Sequence, residues 1–497
     1  MIIKKIITGL TLSLLLGSGM VVAANFDKGK KAFDSGDYFT AFGEIAPLAQ
    51  QGHANAQSFL GFMYYSGWGA PQNYKSAVKW TTKAAIQGDV QAQRRLGNMY
   101  AEGKGVPHSP KASIMWFTKA ARQGDIEDQF FLGSIYVNGE VGTPIEQIAP
   151  VNDAQSVMRD MRMTVFLSAQ WTGSLKNDKT AVLWFTKAAR QADAEAQNNL
   201  AFMAEQGNID AQNSLADMYY FGDGVQKNHK AALKWFTKSA EQGYERAQYN
   251  VAFMHDNGEG TPENDKIAVK WYTKAANQGL ADAQYNLGFA YEKGLGVSKS
   301  YKTALTWYTL VAEQGSAEAQ YNLGIMYNNG RGALENDKTA VKWFTKSAEQ
   351  GYAKAQFNLG DMYNFGHGVP KSHQTALKWF IKAAWQGYAK AQFNVGFAYQ
   401  NGLGIQQNHK TAVVWYSKAA KKGYANAQAN LGYMYANGLG SLTDYRRAYM
   451  WWNIAIYNGA GESRKFKEDV TKLMSTVDIS KAQDMSNRCL ESGYMDC

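Results

Sequence analysis

The sequence predicts an all-α protein: an α/α superhelical solenoid of about ten 36-residue helix-turn-helix repeats with N- and C-terminal capping helices. Two markers carry the period. Trp235, Trp271, Trp307, Trp343, Trp379, Trp415 and Trp451 follow one another at 36 residues. Gln212, Gln248, Gln284, Gln320, Gln356, Gln392 and Gln428 keep the same step, almost always after alanine. Upstream, Gln57, Gln93 and Gln129, with Trp80 and Trp116, hold it too. Composition agrees, since 48 glycines against 8 prolines fit a short unit with obligatory glycines used many times. A chain of 497 residues also exceeds what one hydrophobic core supports, which an array does not need.

The N-terminus reads as an export signal at 1–24. Lys4 and Lys5 supply the positive region, Ile6 to Leu16 the apolar stretch, and Val22-Ala23-Ala24 the small residues of a cleavage site. Gly17, Ser18 and Gly19 break the apolar run, which argues against a membrane anchor. No cysteine stands near the cut, so no lipid anchor is expected. The mature chain is expected to begin at Asn25 or Ala24, and no later segment is apolar enough to span a bilayer.

The organisation that follows is an N-terminal repeat block at 25–206, a regular C-terminal block at 207–460, and capping helices with a tail at 461–497. Two departures break the period. From Gln129 to Gln197 the spacing is 68, and Glu140 to Leu175 lacks a tryptophan where one is due. That irregular insertion, about 140–175, carries Met158, Met161 and Met163. It is either a degenerate repeat that still packs or an inserted binding element using adaptable methionine contacts. Gln197 to Gln212 is only 15 residues, so one first-helix motif follows another with no second helix between them. This should bend the superhelix and divide the array.

One unit shows why the pattern folds. In Ala317 to Asn328, residues Ala319, Leu323, Met326 and Tyr327 fall on one helical face. Gly324 inside that helix costs about 1 kcal/mol relative to alanine, so close approach of a neighbouring helix is expected there. Gly330 and Gly332 end the helix and turn the chain. Asp337 is the expected N-cap of a second helix whose apolar face holds Ala340, Trp343, Phe344 and Ser347. Gln350-Gly351 closes it with a left-handed glycine, and the pattern restarts at Ala353. Neither helix buries its face alone; stacked pairs do.

The run Ala-Gln-Tyr-Asn-Leu-Gly-Ile-Met-Tyr at 319–327 resembles the first helix of Sel-one-like repeats, relatives of the tetratricopeptide repeat. Gly330-Arg331-Gly332 and Lys338-Thr339-Ala340-Val341-Lys342-Trp343-Phe344 resemble the turn and second helix. Most of residues 27–460 can be laid on that motif. The opening from Phe26 to Ala49, and the end from Asp444 to Gln483, look like the terminal helices of exported bacterial members. The resemblance implies an α/α superhelix and adaptor work in protein complexes, with some bacterial members acting at the envelope or in host-cell entry. It identifies the fold far better than the partner.

Catalytic chemistry finds little support, and the chain is read as a non-enzyme with no cofactor and no metal. The seven histidines form no metal-type cluster, and His229, His373 and His409 read as loop residues copied in register just before second helices. Ser76-Ala77-Val78-Lys79 matches a Ser-x-x-Lys pattern, but Thr339 to Lys342 shows that it is only a repeat position holding serine. Each Gly-x-Gly belongs to an interhelical turn. Cys489 and Cys497, eight residues apart, are read as a disulfide of an oxidising compartment.

Binding is the better reading. By analogy with tetratricopeptide repeats, the partner groove takes Phe253, then Tyr285, Asn286 and Phe289, then Tyr321, Asn322 and Ile325. Phe357, Asn358 and Asp361, then Phe393, Asn394 and Phe397, continue it. The asparagines either hydrogen-bond a peptide backbone or hold neighbouring repeats in register, and the sequence leaves both open. Phe253, Phe289, Ile325, Asp361 and Phe397 vary most and are the specificity positions. Charge adds a strip. The formal net charge is +10, and lysines recur at spacing four, as in Lys75, Lys79, Lys83; Lys230, Lys234, Lys238; Lys266, Lys270, Lys274; and Lys338, Lys342, Lys346.

The leading expectation is a periplasmic or secreted scaffold that holds partner proteins or peptides in its groove, with an anionic envelope surface as a further partner of the lysine strip. Nucleic acid is not expected. One alternative is a cell-wall-acting protein that binds or hydrolyses peptidoglycan-related or β-lactam molecules; another is a secreted factor in host-cell interaction.

Overall fold

A computed structural model of the chain describes residues 24–138 and 177–497. The export signal, apart from Ala24, and the irregular stretch at 140–175 with its three methionines lie outside them. The described residues form twenty-five helices and no strand, which makes the fold the all-α repeat solenoid that the period implies. The chain divides into two compact units, Met1–Gln242 and Gly243–Cys497.

The second unit is regular. Its first helices are Glu245–Asp256, Ala281–Lys293, Ala317–Asn328, Ala353–Phe365, Ala389–Asn401 and Ala425–Ala436. Its second helices are Asp265–Asn277, Tyr301–Glu313, Asp337–Glu349, His373–Trp385, His409–Ala420 and Tyr445–Tyr457. Each helix packs on the next in the chain, so the core is a succession of small clusters rather than one mass. In the repeat at 317–352 the buried residues are Ala319, Leu323 and Met326 on one helix and Ala340, Phe344, Ser347 and Ala348 on the other, with Trp343 half-buried.

Gly324 shows what the internal glycine is for. A Cβ there would stand 2.5 Å from Cδ1 and Cε1 of Phe344, so the approach is by the second helix's phenyl ring rather than by its backbone. Gly332, at φ +80°, turns the chain, and a Cβ on it would meet the Tyr301 carbonyl oxygen of the preceding repeat at 2.4 Å. Glycine is therefore required twice over at that position.

Two local expectations are corrected. The second helix is capped by Asn336, whose Oδ1 accepts from Thr339 N at 2.9 Å; Asp337 is its first helical residue. An aspartate one position inside the helix suits the dipole, and the asparagine takes the capping geometry. His229, His373 and His409 are likewise first residues of helices rather than loop residues, following the caps Asn228, Ser372 and Asn408.

Buried glutamines tie the repeats together. Gln320 Nε2 donates to Ala312 O at 3.0 Å, and Gln356, Gln284 and Gln93 make the same bond to Ala348, Ala276 and Ala85. Each glutamine thus satisfies the open C-terminus of the preceding second helix. In most repeats its side-chain oxygen accepts from a second glutamine at the end of the same repeat, as in Gln350 to Gln320 and Gln386 to Gln356, both 2.8 Å.

In the first unit the 15-residue spacing has a structural answer. Helix Ala194–Glu205 follows Asp178–Arg190 as a first helix and precedes Ile209–Phe221 as a second one. Gln197 Nε2 reaches back to Ala189 O at 3.1 Å, while Gln212 Nε2 reaches back to Ala204 O at 2.9 Å. One helix serves two repeats, and Gln197 takes Gly224 O as a further acceptor at 2.9 Å. At the N-terminus, Phe33 of helix Phe26–Asp34 closes the core against Tyr38, Phe59, Phe62 and Trp68.

At the C-terminus, helices Ser463–Thr471 and Thr476–Glu491 cover the last repeat through Tyr449, Trp452, Val470 and Ala482. Cys489, fully buried, is joined to Cys497 with the Cα atoms 5.0 Å apart. Tyr494 between them donates to Asn458 Oδ1 at 2.9 Å. Among the described residues, no helix is long and apolar enough to cross a membrane.

Candidate partner-binding face

All the groove residues read from sequence lie in the second unit, on one face of its first helices, at three positions per repeat. The structure separates their roles. The aromatic position turns inward. Tyr285 packs on Tyr308, Tyr321 on Phe344 and Tyr352, and Phe357 on Phe380 and Tyr388, with ring centroids 5.3–6.0 Å apart. Phe393 does the same on Tyr416 and Tyr424. Burial drives the hydroxyls of Tyr285 and Tyr321 above the usual phenol range, so they serve as neutral hydrogen-bonding groups.

The asparagine position is occupied by the protein itself. Asn322 Nδ2 donates to the Tyr285 hydroxyl of the preceding repeat at 3.1 Å. Asn286 bears on the Tyr249 hydroxyl and Asn358 on that of Tyr321, again 37 residues back. Where the aromatic is phenylalanine this acceptor is lost. Asn394, which follows Phe357, then turns to Asp361 Oδ1 at 3.5 Å, and Asn430, which follows Phe393, to the Tyr416 hydroxyl at 3.0 Å. Of the two roles left open by the sequence, holding the register of the stack is the one the geometry displays.

The third position faces outward. Phe289, Phe397 and Tyr433 are 42%, 43% and 44% exposed, and Phe253 and Ile325 are half-buried in the same row. Tyr433 belongs to this row by its 36-residue step from Phe397, although the sequence reading stopped at Phe397. The row is apolar except at Asp361. That carboxylate sits in a cavity of about 360 Å³ between successive repeats, walled by Phe357, Phe365, Phe380, Phe393, Phe397 and Leu403. Burial pushes the Asp361 carboxyl up to about 6, while Lys390 pulls it the other way.

Part of the cavity wall was not foreseen. Asn364, Phe365, His373 and Leu403 come from a helix end, a second-helix start and a turn, and His373 Nδ1 lies 2.8 Å from Asn364 Oδ1. A larger cavity of about 610 Å³ lies at the C-terminal cap, but its charges pair among themselves, Arg446 with Asp478 and Arg447 with Asp444. Among the described residues, no group of three or more His, Cys, Asp or Glu side chains is placed to hold a metal ion.

On the second helices, the last lysine of each trio lies over the tryptophan three residues before it. Lys83 over Trp80, Lys238 over Trp235, Lys274 over Trp271 and Lys346 over Trp343 stand 3.9–4.6 Å from the ring centroid. The ring face holds the cation and the aliphatic stem covers the indole.

A stack of helix pairs, tied by buried glutamines and presenting a row of exposed side chains from its first helices, defines a repeat scaffold. The Sel1 repeat family model matches residues 54–89, 90–125, 167–193, 209–244, 245–280, 281–316, 317–352, 353–388, 389–424 and 425–459; the chain belongs to the Sel1 repeat family. The match omits 126–166, which takes in most of the irregular stretch. In structure the chain is similar to c5321, a protective antigen present in uropathogenic Escherichia coli strains and displaying an SLR fold. Identity is 33% over 95% of this chain and 96% of that one, with a TM-score of 0.56. A Sel1 repeat protein from Oxalobacter formigenes is 27% identical over 72% of this chain and 90% of its own, with a TM-score of 0.48. No curated protein matches the chain.

Proposed function

We propose that the protein is an exported, non-catalytic scaffold that holds partner proteins or peptides along the first-helix face of residues 243–436. One observation carries the reading. On these helices the aromatic and asparagine positions are committed to the protein's own packing, yet the third position leaves large apolar side chains exposed in register. Phe289 and Phe397 are not needed to fill the core, and regularly spaced apolar anchors on a rigid stack suit recognition of an extended or helical segment. The lysine strip is proposed as a second contact, toward an anionic envelope surface. The reading of residues 1–24 as an export signal supports a location in the periplasm or outside the cell.

The test is an affinity pull-down from envelope extract with the mature protein, beside a Phe289→Ala/Phe397→Ala variant shown to fold by circular dichroism. A partner held by the first and released by the second supports the reading. A partner held equally by both, and released instead by 0.5 M salt, moves the interface to the lysines. Cell fractionation tests the location, and recovery only in the cytosol would overturn export.

A further inference from the structure

Within the second unit the apolar row changes character once. Phe253, Phe289, Ile325, Phe397 and Tyr433 occupy one position of successive repeats, and Asp361 occupies it in the fourth. A carboxylate there is not explained by packing. The cavity around Asp361 is walled mostly by phenylalanine rings, with Asn364, His373 and Asn394 among them, and its hydrogen bond from Asn394 is long at 3.5 Å. Within the second unit the same position is otherwise Phe, Ile or Tyr, while the first unit has Asp217 there. A charged group set among aromatic rings, with Lys390 near enough to bear on it but forming no ion pair with it, is held at a cost to the free protein. Such a residue makes sense when something else completes it.

The chemistry of the completing group follows from the walls. An anion at the floor selects a cation. Phenylalanine faces attract a cation within about 6 Å of their centroids and also cover an aliphatic stem. The volume of about 360 Å³ is at the small end for a ligand pocket, roughly 300–1,000 Å³, which fits one long side chain better than a cofactor. The chain as a whole carries a net charge of +10, so a basic ligand gains nothing from the general field and must be recognised locally. Lying in the exposed row, the cavity is placed where the proposed partner would pass.

We propose that the Asp361 cavity is the specificity pocket of this scaffold and takes one lysine or arginine side chain of the partner polypeptide, between Phe357, Phe393 and Phe397. The assignment rests on the scaffold reading and sharpens it. The partner carries a basic residue flanked by apolar ones, which dock on Phe397 and Ile325 on either side.

The test is panning of a random twelve-residue peptide library displayed on phage against the mature protein, in parallel with Asp361→Asn and Asp361→Glu, each checked by circular dichroism. The expected result is enrichment of peptides with one recurrent lysine or arginine beside apolar residues. Synthetic copies should bind wild type at least tenfold more tightly than they bind Asp361→Asn, and the glutamate variant should recover part of the difference. Replacing the recurrent lysine by norleucine should cost a similar factor. Peptides enriched without a basic residue, or bound equally by folded Asp361→Asn, would overturn the cation pocket and leave the scaffold standing. No enrichment at all would overturn both.

Discussion

Gln350 Nε2 donates to Gln320 Oε1 at 2.8 Å and to Gly315 O at 2.9 Å, so a single amide joins the end of one repeat to the buried glutamine and the closing turn around it. The arrangement recurs at Gln386 with Gln356 and at Gln278 with Gln248. It fails once. At the next position the chain has Lys422, whose Nζ keeps the bond to Gly387 O at 2.7 Å but cannot reproduce the second. Gln392 Oε1 is left buried without a partner. An unsatisfied buried acceptor costs on the order of 1–3 kcal/mol. Lys422→Gln is therefore expected to stabilise the protein by about 1 kcal/mol, raising the thermal midpoint and the hydrogen-exchange protection of helix Ala389–Asn401. An unchanged or lower midpoint would show that the amide pair is incidental.

Gly324→Ala sets two opposed effects against each other. Helix propensity favours alanine by about 1 kcal/mol, but the new methyl would stand 2.5 Å from two ring carbons of Phe344. Overpacking of a tight core site costs about 1–3 kcal/mol, and the ring lies against Tyr321 with little room to retreat. The substitution should lower stability by about 1–2 kcal/mol in urea unfolding. Pairing it with Phe344→Leu, which opens the space, should return part of that loss.

The fold was legible because its signal repeats. Any one alanine-glutamine pair means little, but seven in unbroken step leave one architecture, and the glycines followed from the turns they make. What the glutamines do was less visible, since a buried amide can bond almost anything and only the geometry of Gln320 between Ala312 and Gln350 decides. The same ambiguity held the asparagines between two roles until Tyr285 was found beside Asn322. For the cavity, register along one helix indicated Phe357, Asp361, Phe393 and Phe397. Helical register says nothing of residues that arrive from a turn or another helix, which is how Leu403, Phe365 and His373 were missed. Tyr352, Tyr388 and Tyr424 did leave a trace, a tyrosine after each Gln-Gly or Lys-Gly.

Asn322→Ala separates packing from recognition. Its side chain ties two first helices through the Tyr285 hydroxyl at 3.1 Å, and a net hydrogen bond of this kind contributes about 1 kcal/mol. The variant should lose roughly that much stability, while binding of a captured partner changes less than twofold. A variant of wild-type stability that has lost its partner would return the asparagine row to the binding surface.

The Asp361 carboxyl gives a prediction whose sign depends on pH. In the folded chain burial holds it up to about 6, against an ordinary carboxylate value near 3.8. The groups that bear on it are Lys390, Tyr388 and Tyr424, with His373 on the cavity wall. Because the folded value is the higher one, the native state binds the proton more tightly. Ionisation therefore destabilises it, and the penalty grows as pH rises from about 4 to about 6 and is fully present above that. Asp361→Asn keeps the shape and removes the charge. It should match wild type at pH 4 and exceed it at pH 7.5 by about 1 kcal/mol, a figure discounted because solvent reaches the site. Hydrogen exchange in helices Ala353–Phe365 and Ala389–Asn401 at the two pH values would read the difference locally, as suits an array whose repeats open separately. Equal protection at both pH values would mean that the carboxylate is already compensated in the free protein, and the need for a cation from outside would disappear.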